Sequence, residues 1–165
     1  MGYETGDVGG SLRRWAESGG DHQVAAAVEL VIRYRLADPV YPWIHRGVPG
    51  SRWVDDSVDF RTLATVARQT PGEDGLVMRL AADLGLGVEI PPAALGQVDD
   101  DRRAYLLAAI AQLPAGEWPP ERQAPPAIPS DVILEVIARE RRGLDRLLRD
   151  IDLDRLQDTE TDGQT

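Results

Sequence analysis

The sequence predicts an all-α protein: a compact body of about four helices, a proline-rich linker and a C-terminal amphipathic helix. Three observations carry this. Apolar residues recur at helical spacing in four stretches between Asp21 and Leu113. Six of the twelve prolines fall between Pro114 and Pro129. Directly after them, Ser130-Asp131 opens a strongly amphipathic pattern.

Residues 1–20 contain six glycines and read as a flexible N-terminal segment, with a single helical turn at Ser11–Trp15. The body spans residues 21–114. Asp21 is placed to cap a helix reaching about Ala37, with Ala25, Val28, Ile32 and Leu36 on one face and Val24 and Val31 beside them. The alternation Val28, Leu30, Ile32, Tyr34, Leu36 also fits a strand, but the length and the Ala25–Ala27 run favour helix. Asp38-Pro39 ends it, since proline disfavours the α region for the residue before it. Residues 39–58 form a loop with three Pro, two Gly and two Trp.

A helix at about 57–69 follows, with Phe60, Leu63, Ala64 and Ala67 as a buried stripe. Thr70-Pro71-Gly72-Glu73 matches a capping box, Thr70 as cap and Glu73 reaching back. The helix it opens presents Val77, Leu80, Ala81 and Leu84, and Gly85 and Gly87 stop it. Asp99, Asp100 and Asp101 lead a further helix whose apolar face is Leu106, Leu107, Ile110 and Leu113.

Residues 115–129 form a linker of polyproline character, long enough when extended to hold the last helix tens of Å away, at about 3.1 Å per residue. That helix occupies residues 130–156. Its stripe is Ile133, Val136, Ile137, Glu140, Leu144, Leu147, Leu148 and Ile151, with opposite charges at i, i+4 from Glu135–Arg139 to Arg146–Asp150. Glu140 and Gly143 interrupt it, which argues against a long coiled coil. Residues 157–165 read as a disordered tail.

Composition narrows function mainly by exclusion. The net charge is −10 and all eighteen basic residues are arginine. Residues 130–165 carry ten acids and six Arg, so acidity is spread along the chain and direct nucleic-acid binding is disfavoured. Without cysteine there are no disulfides, thiolate metal sites or cysteine nucleophiles. The N-terminus lacks a signal-peptide pattern and no apolar run suits a membrane span, so a cytoplasmic location is expected.

No catalytic motif stands out, and no cofactor or metal is expected. His22 and His45 are the only histidines, and no H-E-x-x-H or G-x-S-x-G occurs. The acid runs Asp55-Asp56 and Asp99–Asp101 read as helix caps. Gly85-Leu86-Gly87 follows a helix, whereas a dinucleotide loop follows a strand. The densest chemistry is residues 41–53, where Trp43, His45, Arg46, Arg52 and Trp53 suit an aromatic, cationic pocket for a small anion. The plainer reading has both Trp plugging the core and the Arg facing solvent.

Residues 59–114 resemble a helical module of uncharacterised actinobacterial proteins. The shared outline is an acid-led helix, a helix ending Leu-Ala-Ala-Asp-Leu-Gly-Leu-Gly, a short Val-x-Ile/Leu segment, the cluster Val98–Asp101 and a Leu/Ala helix. The resemblance implies origin and fold class and carries no site residues.

The expected function is therefore a non-enzymatic interaction protein: an adaptor, accessory subunit or acidic inhibitor. It would dock another protein, or a second copy, through Ile133, Ile137, Leu144, Leu147, Leu148 and Ile151. The alternatives are a small enzyme or ligand-binding protein using the 41–53 cluster, with His45 as proton carrier, and a DNA-linked regulator.

Overall fold

A computed structural model describes residues 7–161, with side chains as far as Arg149. The chain is mostly helical, but not strictly all-α: two short strands pair within the loop assigned to residues 39–58.

The first helix, α1 (Val8–Gly19), corrects the expectation of flexibility over most of residues 1–20; residues 1–6 of that segment lie outside the described ones. Asp7 caps it by accepting from the Gly10 amide, and Gly20 closes it at φ 69°. Leu12 and Ala16, one turn apart, are buried against α2. Gly9, Gly10, Gly19 and Gly20 sit at the two ends of the helix, where they interrupt little.

Helix α2 (His22–Arg33) starts at Asp21 as expected, its carboxylate accepting from the Gln23 and Val24 amides. It is the central helix, packed on α1, on α4 (Gly72–Gly85) and on α6 (Asp100–Ile110). Ala26, Ala27, Val28, Leu30, Val31 and Ile32 are all buried, nearly encircling it. That explains why its sequence alternates as well as repeating at helical spacing. It stops at Arg33, before the expected Ala37, because Arg35 turns left-handed at φ 64°. Leu36 still reaches the core from the turn.

The paired strands are β1 (Ile44–His45) and β2 (Ser57–Val58), antiparallel with Ile44 opposite Val58. They lead into α3 (Phe60–Gln69), capped by Asp59. Phe60, Leu63, Ala64 and Ala67 are buried, as the stripe predicts.

Helix α4 begins after Pro71, and Thr70 is not its cap. The Thr70 hydroxyl donates back to the Val66 carbonyl at 2.9 Å and is buried, closing α3 rather than opening α4. The two helices meet closely there: a Cβ on Gly75 would sit 1.9 Å from the Thr70 carbonyl oxygen. Val77, Leu80, Ala81 and Leu84 are buried as expected.

A short α5 (Pro92–Leu95) precedes α6, which Asp99 caps through the Arg102 amide. Of the face expected on α6, Leu106 is buried and Leu113 packs partly buried against the core, but Leu107 and Ile110 are exposed, and Tyr105, Ala108 and Ala109 are inside instead. Two alanines let α6 approach α2 closely, and Tyr105 packs edge-on against Tyr34 at 5.7 Å.

The segment 114–129 is not a free spacer. It crosses the body as a strap, with a single 3-10 turn at Ala115–Glu117. Trp118 is buried and donates from its indole to the Leu113 carbonyl. Helix α7 (Ser130–Thr161) then packs its first turns on α3 through buried Val132 and Val136. It continues through 157–161, where a disordered tail was expected; residues 162–165 lie outside the described ones.

Candidate functional site

The residues expected to form a pocket at 41–53 are not brought together. Trp43 is fully buried; its indole donates to the Leu36 carbonyl at 2.8 Å and it stacks on Tyr41. It pins the turn after α2 to the core. Arg46 pairs with the buried carboxylate of Asp56 at 3.0 Å. His45 is exposed on β1. Arg52 lies over Trp53, 5.1 Å from the ring centroid, at the exposed tip of the arm. The plainer reading also fails at one residue: Trp53 is 65% exposed and plugs nothing.

Asp55 and Asp56 are not helix caps either. Asp56 accepts from the Gly47 amide, and its own amide donates to the Ser11 hydroxyl. Asp55 pairs with Arg14. Together they tie the strand arm to α1.

The most concentrated electrostatic cluster is one that spacing did not single out. Asp74, buried on the first turn of α4, accepts from the Tyr34 hydroxyl at 2.6 Å. It also accepts from two guanidinium nitrogens of Arg102 at 3.0 and 2.9 Å, from Arg122 at 3.3 Å and from the Ala127 amide at 3.0 Å. Arg122 in addition covers the Tyr34 ring, 4.3 Å from its centroid. One carboxylate thus joins α2, α4, α6 and the strap.

Burial alone would raise the Asp74 pKa, but the hydrogen bonds from Tyr34, Ala127 and Arg102 outweigh it and hold the group at about 2. The Tyr34 phenol is pushed up by burial and by donating to that carboxylate. At neutral pH Asp74 is ionised and its oxygens are engaged by these donors. It is a clasp.

Further bonds fasten the strap. Arg33 donates to the carbonyls of Ala115 and Pro119 while its Nε pairs with Glu29 at 2.7 Å. The Tyr105 hydroxyl donates to the Pro120 carbonyl, and the Arg122 amide to the Arg33 carbonyl. The only sequence sign of this was the company the prolines keep: Trp118, Glu121 and Arg122 are side chains that bind.

The stripe on α7 divides in two. Ile133 and Ile137 are half-buried on the body. The Thr62 hydroxyl of α3, which donates to Asp59 at 2.9 Å, lies 3.2 Å from the Glu140 carboxylate. Beyond it Leu144, Leu147 and Leu148 are 57%, 57% and 52% exposed. The side chain of Ile151 lies outside the described residues. At 3.6 residues per turn Leu147 falls within about 20° of Val136 around the axis. The face that grips the body therefore runs on past it, uncovered.

Among the described residues no group of His, Asp and Glu is arranged to hold a metal ion, and no helix is long and apolar enough to cross a membrane. No protein-family model matches the chain, and neither a curated protein nor a solved structure is significantly similar to it.

Proposed function

We propose that the chain is a non-enzymatic interaction protein that docks a partner protein through the projecting part of α7. The observation that carries this is the continuity of the stripe: Leu144, Leu147 and Leu148 extend the face that packs on α3 and are more than half exposed. Exposed leucines are common singly, but three within two turns of one helix form a patch.

The magnitude limits the partner. The three leucines are already about half covered, so burying the rest contributes roughly 2–5 kcal/mol, half of the usual 1.5–3 each. Association itself costs about 4–15 kcal/mol. The leucines alone give a weak complex, so a stable partner must also meet the flanks of the helix. There Arg141, Arg142, Arg146 and Arg149 lie among Glu140 and Asp145, which suits a groove with charges of both signs on its rim. An adaptor, an accessory subunit and an inhibitor are all compatible with such a contact.

An enzyme or small-ligand protein built on residues 41–53 has no supporting observation, since Trp43 is in the core and Arg46 is engaged by Asp56. Acid-led helix starts at α4 and α6 likewise offer nothing to a DNA groove.

The test is affinity capture from the native host, read by mass spectrometry, with the wild-type chain and the triple variant Leu144→Asp, Leu147→Asp, Leu148→Asp. These positions are exposed, so the fold is expected to survive. A partner held by wild type and lost by the variant supports the reading; identical capture by both proteins removes it.

A further inference from the structure

The strand arm carries a second exposed apolar feature, at its tip. Between β1 and β2 the chain makes a tight turn in which the Val48 amide donates to the Trp53 carbonyl at 2.7 Å. The Ser51 amide and hydroxyl both donate to the Val48 carbonyl, and Ser51 accepts from the Trp53 amide. This hydrogen-bonded turn displays Trp53 with Val48 and Val54, which are 58% and 57% exposed. Residues 46–54 include two arginines and no acid, in a chain of net charge −10.

At the base of the same arm lies a groove of about 480 Å³. Trp15, Val24, Phe60 and Leu86 supply its apolar lining. Asp21 and Asp59, the caps of α2 and α3, stand at its edge with Arg61. The Asp21 carboxylate uses only Oδ1 for capping, leaving Oδ2 without a partner among the described residues. The volume lies within the range of sites that take a drug-sized group, ample for an indole ring.

We propose that two copies of this chain pair by inserting each Trp53 tip into the other's groove, with Arg52 beside Asp21 and Asp59. The tip does not fill its own groove: Trp53 is 65% exposed and is not among the residues that line it. Tip and groove sit at opposite ends of one short arm, so a two-fold axis between them satisfies both at once. An aromatic side chain buries roughly 150–250 Å². Each copy gives one tip and receives one, and Val48 and Val54 bring the contact toward the ~800 Å² per partner of a specific interface. Trp and Arg are also among the residue types most enriched where interface energy concentrates.

The surface is independent of α7, so its test separates the two. Sedimentation equilibrium is run at about 100 μM, where a micromolar pair is almost fully associated. The expected result is a dimer for wild type. Trp53→Ala and Leu86→Glu, both at exposed positions, are each expected to weaken it at least ~30-fold. An equimolar mixture of the two variants keeps one intact tip facing one intact groove, so it is expected to pair better than either alone. Circular dichroism establishes that the variants are folded. A monomeric wild type overturns the proposal. So does a dimer that survives both substitutions, or one lost only with Leu147→Glu, which would assign self-association to α7. A mixture that pairs no better than its components overturns the reciprocal arrangement.

Discussion

Asp74 decides how the residues near the strap behave. Its carboxylate sits below the unfolded value of about 3.9, at about 2 in the folded chain. A depressed carboxylate contributes stability that is fully present above the unfolded pKa and is lost as pH falls through the folded one. The contribution is roughly 2–3 kcal/mol above pH ~4 and fades between about pH 4 and 2. Asp74→Asn keeps the shape and removes the charge, leaving Arg102 and Arg122 facing a neutral amide. We expect it to lower unfolding free energy by about 3 kcal/mol at neutral pH, the scale of breaking a buried pair. Urea titrations at several pH values check both statements: the variant's stability should change less than wild type's between pH 4 and 2. Asp74 also shows why this part of the site was not legible. In sequence it is one acid in Pro-Gly-Glu-Asp, where helix dipole and capping explain an acid without any partner. Its donors Tyr34, Arg102 and Ala127 come from distant parts of the chain, and no spacing rule links them.

At the scale of elements, helices whose burial follows one stripe were legible, and those set by close approach were not. The α3 and α4 stripes are inside as their spacing requires, because large apolar residues mark them. On α6 the large residues Leu107 and Ile110 mark the wrong face, since alanines and Tyr105 make the contact. Apolar spacing reports where hydrophobic bulk lies; it is silent on where two helices come close enough to need small side chains. The α7 pattern was legible in kind, yet only the structure shows that Glu140 sits at the edge of the body. Gly143 lies in the uncovered part with open space about its Cα. Glycine in an exposed helix costs about 1 kcal/mol relative to alanine. Gly143→Ala is therefore expected to slow amide exchange across residues 141–149 and leave exchange in α2 unchanged. Limited trypsin digestion gives a second reading: first cleavage is expected at Arg141 or Arg142, where helix leaves body, and the alanine variant should delay it.

For the whole molecule the decisive difference between sequence and structure is the strap. Proline content suggested a body and a C-terminal helix joined by a stiff spacer. The bonds from Arg33, Tyr105 and Asp74 instead make residues 114–129 part of the body, and Trp118 adds a buried ring. A spacer would let α7 unfold independently; a strap couples it to the core. Trp43 lies in the core and Trp118 in the strap, which gives each region its own fluorophore. In Trp53→Phe and Trp15→Phe backgrounds, with one of the remaining two also changed to Phe, their transitions can be followed separately. A strap predicts coincident urea midpoints for Trp43, Trp118 and far-ultraviolet circular dichroism, the behaviour of a single cooperative unit. Ala127→Pro removes the amide that reaches Asp74 while leaving the body's side chains in place. It should therefore lower both midpoints together, through a loss of about 1–3 kcal/mol in unfolding free energy for a buried acceptor that loses a donor. If Trp118 melts first and Trp43 is unaffected, the segment is a tether after all, and α7 hangs on a loose line instead of standing on a fixed shelf.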